Sequence, residues 1–205
     1  MKPCDHIGCK LFPCSDVNHS GYIIPAIELD PATISIILIS ESAPEKLEDD
    51  YYADGDPLFA RTTLLAFNDA GVKLSSVQEI IQRGIYLTSA VKCSKTGYGI
   101  QSGTIEECSH ILEQELSLFP NVKAFLLMGD VAIKAINYIA KRNKDPRPVP
   151  SGSTYKIRGN EFYFRGKRVF PSYLQAGPSF GIEKSKRKMI AEDIASAWGL
   201  VQTGK

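Results

Sequence analysis

The 205-residue chain carries 24 Lys or Arg against 23 Asp or Glu, with 43% apolar and 23% charged residues. That length suits one domain with a core of its own, and the composition excludes a disordered, collagen-like or disulfide-dependent chain. No apolar run reaches the ~18–20 residues of a membrane span, no signal-peptide stretch opens the chain, and the odd cysteine count fits a reducing cytoplasm.

The first thirty residues mix cysteines, histidines and turn formers without a period, as a loop-rich collar would. Residues 33–39, TISIILI, are an unbroken β-branched run, the mark of a strand buried on both faces. The acidic, Gly- and Pro-containing stretch 40–57 reads as a long functional loop. Residues 58–70 have helical spacing and stop at Gly71, a good residue to follow a helix. A second strand spans 85–93, and a Gly-rich loop follows it. Residues 104–119 form an amphipathic helix with Thr104 as N-cap and Glu107 in the capping-box position. A third buried strand at 123–129 runs through Gly129-Asp130 into a helix ending near Arg142. Residues 155–173 alternate as a strand pair with Gly159-Asn160 as the turn, and a helix over 183–198 closes the chain. Repeated strand–loop–helix units predict an α/β fold, a three-layer α/β/α sandwich about a mainly parallel sheet.

Charge is unevenly placed. Residues 141–188 hold thirteen Lys or Arg against Asp145, Glu161 and Glu183, so the remainder of the chain is acidic. A basic third on an acidic chain is the pattern of a polyanion-facing surface, and Arg165, Lys167 and Arg168 lie at its centre. The alternative is a solvated charged hairpin and helix.

Cys4, Cys9 and Cys14 fall within eleven residues, Cys93 ends a strand, and Cys108 lies in a helix. Clustered cysteines in a reducing compartment point to metal or redox chemistry, as tetrahedral zinc or an iron–sulfur cluster. The alternative for Cys93 and Cys108 is that both are buried core thiols.

Taken together, the loops and cysteines resemble the uracil-DNA glycosylase superfamily, most closely its iron–sulfur branch, family four. The family's first motif has counterparts in Ala43-Pro44, Glu48-Asp49, Gly55-Asp56-Pro57 and Arg61. Its second strand is similar to Tyr86 through Cys93, with Cys108 at the position of a further cysteine. Leu127 through Ala132 resemble the strand-to-helix turn, and Arg168 through Leu174 the last motif. The resemblance covers nearly the whole chain as one domain, residues 1–205. It implies a four-iron–four-sulfur cluster on Cys9, Cys14, Cys93 and Cys108, with Cys4 as an alternate ligand and structural zinc as the alternative metal. It also implies DNA, single-stranded DNA included, as partner, with a monomeric protein away from membranes.

The implied chemistry is hydrolysis of the bond between a base and deoxyribose after the base leaves the stack. Three polar positions differ from the family. Ser42 stands at the motif-one glutamate, with Glu41 as the nearest carboxylate. Ser89 stands at the base-reading asparagine, and Phe170 at the last motif's histidine. Glu41, Ser42, Glu48 and Asp49 are therefore the catalytic candidates, the last two set against a solvated acidic loop. Phe59, Ser89, Phe170, Ser172 and Tyr173 are candidates to contact the base or its strand. Two functions follow: a base-excising DNA glycosylase of weak or altered activity, or a non-catalytic nucleic-acid or nucleotide-binding protein on the same fold. His6, His19 and His110 fall outside every motif.

Overall fold

The computed structural model describes residues 1–202. In chain order the elements are β1 (Val17–Asn18), β2 (Ile36–Ala43), α1 (Leu58–Asp69), α2 (Val77–Gln82), β3 (Ile85–Lys95), α3 (Ser102–Ser117), β4 (Ala124–Met128), α4 (Asp130–Arg142), α5 (Thr154–Ile157), β5 (Phe162–Phe164), β6 (Lys167–Ser172) and α6 (Lys184–Gln202). The strands form one sheet in the order β1-β3-β2-β4-β6-β5. Its four central strands are parallel, while the short edge strands β1 and β5 run antiparallel to their neighbours. None of the described helices is long and apolar enough to cross a membrane.

Side-chain alternation splits the core into two layers. Ile37 and Ile39 of β2, with Phe125 and Leu127 of β4, pack toward α3 and α4. Ile36, Leu38, Leu126 and Met128 face the opposite way, toward α1, α2 and α6. The chain leaves β2 for β3 on one side and then reaches β4 on the other. Such a reversal opens a crevice at the carboxyl ends of the strands, where ligands of open α/β sheets bind.

Three expected local features differ. The hairpin turn is Arg165-Gly166, not Gly159-Asn160; both turn residues have positive φ, at 50° and 74°. Residues before that hairpin form the short helix α5. The Thr104 N-cap is also replaced: α3 begins at Ser102, and the Thr104 hydroxyl is bonded to Asp16 instead.

A β-bulge interrupts β3. Ser42 pairs with Val91, but Ala43 pairs with Ser94, so β3 carries extra residues at Lys92 and Cys93. The Lys92 side chain is fully buried and forms an ion pair with Glu115 of α3, also fully buried. Lys92 Nζ further donates to Thr88 Oγ1 at 2.7 Å and to the Ser89 carbonyl at 2.6 Å. Glu115 accepts from Tyr86 and Thr88 at 2.8 and 2.9 Å, so the pair's other polar contacts are met. Breaking one member of such a pair leaves an uncompensated buried charge. Lys92→Met should therefore cost about 3–5 kcal/mol. The double variant Lys92→Met/Glu115→Leu should recover most of that loss in urea denaturation. Equal losses in single and double variants would mean that the pair's charge is unimportant.

Candidate functional site

Two adjoining cavities, about 690 and 380 Å³, open at the carboxyl ends of β2, β4 and β6. Glu41, Lys95, Leu174 and Ser179 are in the walls of both, so they form one groove. Glu41 is held by β4 and α4. A Cβ on Gly129 would sit 2.5 Å from Glu41 Oε1, and Gly129 has φ +105°, so only glycine leaves room for this carboxylate. The Val131 N–H, in the first turn of α4, donates to Glu41 Oε1 at 3.5 Å, a long bond at the positive end of the helix.

Ser42 faces the larger cavity together with Phe59 from the first turn of α1. The Phe59 ring packs tilted on Tyr51, with centroids 5.3 Å apart, and lies over Gly177. Leu58, its neighbour, is instead held through its N–H by Asp49 Oδ1 at 3.2 Å. Asp49 thus serves the N-terminus of α1, while Glu48 is exposed on the 3-10 turn before it. Neither borders the groove, which separates both acids from Glu41 and Ser42. Asp56 of the same loop pairs with Arg61 at 2.6 Å.

Ser172 and Tyr173 line the smaller cavity. The buried Ser172 hydroxyl donates to Asp193 Oδ2 at 2.5 Å. Arg158 grips that same carboxylate through Nε at 3.1 Å and Nη2 at 2.7 Å. Burial pushes the Asp193 carboxyl above the ordinary range despite the Arg158 and Ser172 bonds. Tyr173 is half-buried, with Lys186 Nζ 5.4 Å from its ring centre. Sequence reasoning misses the Arg158–Asp193 pair, because only tertiary folding brings the end of α5 and the middle of α6 together.

Two expected base-contacting residues lie elsewhere. Phe170 is buried in the α1/α6 core layer beneath the Arg168 guanidinium and pairs with Leu126 in mid-sheet. It lies two residues short of Ser172, where the groove begins. Ser89 is buried too, and its hydroxyl donates to the Val91 carbonyl at 3.0 Å.

The expected basic residues lie apart from the groove. Arg165 in the hairpin turn and Lys167 and Arg168 at the start of β6 sit at the end of the parallel sheet opposite the groove. Arg165 pairs with Asp145 and Glu113 at 3.0 and 2.8 Å. Lys167 donates to the Val122 carbonyl at 2.9 Å, and Arg168 donates to backbone carbonyls, including that of Val169 at 2.8 Å. The Lys167 and Arg168 bonds to backbone carbonyls join the hairpin to the rest of the fold, while the Arg165 pairs are half-exposed.

The cysteines build a separate place. Cys9, Cys14, Cys93 and Cys108 line one cavity of about 360 Å³, together with His19, Tyr22 and His110. Cys4 is exposed, and its thiol faces Asp5 rather than this cavity. Backbone N–H groups are aimed at two of the sulfurs: Phe12 N–H at Cys9 and Lys92 N–H at Cys108, each at 3.3 Å. His19 Nδ1 lies 3.5 Å from Cys93 Sγ. Burial, then the neighbouring thiols, pushes Cys93 up to about 12. Burial likewise pushes Cys108 up to about 11. Among the described residues, no three His, Cys, Asp or Glu converge closely enough to hold one metal ion. The four thiols share one cavity, and amide donors are directed at the sulfurs of Cys9 and Cys108, a donor set whose soft thiol ligands suit zinc or an iron–sulfur cluster.

The sequence matches the family described as the Uracil DNA glycosylase superfamily over residues 29–193. It is also similar to the type-5 uracil-DNA glycosylase of Thermus thermophilus, with 25% identity over 114 residues. That alignment covers 56% of this chain and 49% of the relative, so the chain matches about half the length of that protein.

Proposed function

Because the chain belongs to the uracil DNA glycosylase superfamily, we propose that it hydrolyses the bond between a deaminated base and deoxyribose in DNA. The observation that carries this reading is Glu41 in its glycine seat, in the same groove as Ser42 and Phe59. In this reading the extruded base stacks on Phe59, the Ser42 hydroxyl contacts its edge, and the Glu41 carboxylate orients the water that attacks C1′. Ser172 is a further hydroxyl on the groove wall, its direction set by Asp193 and Arg158.

A metal would sit in the cysteine cavity, at the same carboxyl end of β3 as the groove, where Cys93 precedes the groove residues Ser94 and Lys95. Cys9, Cys14, Cys93 and Cys108 would hold a four-iron–four-sulfur cluster. When bound, the cluster supplies a crosslink between collar, strand and helix rather than a group at the scissile bond. We further infer a single-domain monomer acting in a reducing cytoplasm.

One observation favours a second reading, a DNA-binding protein without excision. The three histidines all lie outside the groove. No imidazole is therefore in position to stabilise the departing base, and losing such a donor typically costs ~10²–10³ in rate. An assay on oligonucleotides carrying uracil, hypoxanthine, xanthine or a thymine mismatch separates the readings. Slow release of uracil is expected. DNA binding by the metal-loaded protein, with release of none of these bases, would establish the second reading instead.

In the proposed reading Lys95 and Lys186, which line the groove, are the phosphate-binding cations. Replacing both with alanine should flatten the dependence of log affinity on log salt by about 0.7–0.9 for each phosphate no longer neutralised. Replacing Arg165, Lys167 and Arg168 should leave that slope unchanged and lower thermal stability. The reverse pattern would return the DNA face to the hairpin.

A further inference from the structure

We propose that the groove receives an unpaired stretch of DNA, and that Tyr98 is the platform on which a base beside the excised one stacks. The inference rests on the DNA reading above and specifies the form of DNA. Tyr98 is fully exposed, at 108% of its reference area, and its ring meets no other ring among the described residues. A single exposed aromatic carries little meaning by itself. Its mounting is what distinguishes this one.

The loop between β3 and α3 is pinned at both feet to Asp16. Thr96 Oγ1 donates to the Asp16 carbonyl at 3.0 Å, and Gln101 N–H donates to Asp16 Oδ2 at 2.7 Å. Between those feet stand Gly97, Tyr98, Gly99 and Ile100. A Cβ on either glycine would meet nothing within 4 Å, and neither has positive φ. The fold requires glycine at neither position for space or for backbone shape. What the pair supplies is freedom at the tip, on a loop whose base is fixed.

Tyr98 and Lys95 form one bank of the groove's larger cavity. Tyr173 and Lys186 form a bank of the smaller one, ring beneath ammonium. A lysine beside a tyrosine on each bank matches what an unpaired strand needs: cations along the phosphates and rings against base faces, without sequence readout. The groove also contains Glu41, Glu45, Asp130 and Glu183. Glu183 pairs with Lys186 at 2.8 Å, but both are exposed, so exchange for a phosphate costs little. Glu41 and Asp130 repel phosphate from the middle, which leaves the strand on the banks and the base between them. A paired duplex keeps its base faces covered and offers Tyr98 nothing to stack on.

The test uses the full-length, metal-loaded protein with a short mixed-sequence strand lacking uracil, and with the same strand in a duplex. The wild-type protein should bind the single strand more tightly. Tyr98→Ala should weaken single-strand binding about 5- to 100-fold, the range of one stacked base, and leave duplex binding unchanged. Tyr98→Phe should keep wild-type affinity, because stacking uses the ring and not the hydroxyl. Adding the strand to Tyr98→Trp should quench the new indole's fluorescence beyond any change in the wild-type protein. Single-strand binding by Tyr98→Ala equal to wild type, or equal losses on strand and duplex, would overturn the proposal while leaving the DNA reading intact. Failure of the wild-type protein to bind either form would overturn both.

Discussion

Cys108→Ser, purified without oxygen, should be colourless, whereas the wild-type protein should be brown with about four irons per chain. Cys9 and Cys14 lie in the collar, Cys93 on β3 and Cys108 on α3, so one cofactor would tie together three parts of the chain. The collar's other anchors are the apolar contacts of Val17, Ile24 and Leu29, buried in the α3/α4 core layer, and several polar links. These include the two-residue pairing of β1 with β3, the Ile23 N–H to Lys92 carbonyl bond at 2.8 Å, and the contacts of Asp16. Binding free energy of a structural metal acts as folding free energy. Its loss should lower the Tm by about 10 °C and open the collar to protease. Cys4→Ser provides the matched control and should keep its iron, because that thiol is exposed and outside the cavity. Iron lost with Cys4→Ser and kept with Cys9→Ser would redraw the ligand set. One zinc per wild-type chain would replace the cluster with a single-ion site.

Glu41→Gln should reduce base excision by about 10²–10⁴-fold, the range spanned by a positioned general base, while preserving DNA affinity. Gly129→Ala should mimic it without touching the carboxylate. The new methyl would fall 2.5 Å from Glu41 Oε1 and at a φ that alanine resists, so the carboxylate must leave its place. Because Gly129→Ala also strains the backbone, its Tm is measured beside its rate. The two other acids offer a contrast. Glu48→Gln should be near neutral, since that side chain is exposed away from the groove. Asp49→Asn should act through the start of α1 rather than through chemistry, because its carboxylate accepts the Leu58 N–H. Full activity in Glu41→Gln, with activity lost in Glu48→Gln, would move the chemistry to the acidic loop.

The central strands could be read from sequence because burial on both faces leaves mostly apolar runs at 33–39 and 123–129, and β-branched and aromatic residues mark the strand at 85–93. The parallel sheet then follows from the helices between them. The hairpin turn was not legible. Gly159-Asn160 has suitable residue types, but the chain places Arg165, a non-glycine residue, at positive φ to make the turn. The candidate site was partly legible. Glu41, Ser42, Phe59, Ser172 and Tyr173 do meet in one groove, since motif order follows strand order. Phe170 misled because a motif gives position along the chain and not depth within a strand. The partners of Arg165 were not legible, because a local excess of charge says nothing about residues 20 and 52 positions away, Asp145 and Glu113. The Arg158 grip on Asp193 and the seat of Glu41 on Gly129 arise from such distant pairings as well.

The bulge in β3 limits how this chain can change in length. In a regular strand, neighbouring side chains point to opposite sides. Here Lys92 reaches Glu115 of α3, and the adjacent Cys93 opens into the cavity that Cys108 of the same helix lines. The irregular register lets one helix receive both. A deletion between Val91 and Ser94 that restored even pairing would force a choice between ion pair and thiol. Loops elsewhere can lengthen or shorten at little cost, but this short stretch of strand has a fixed residue count.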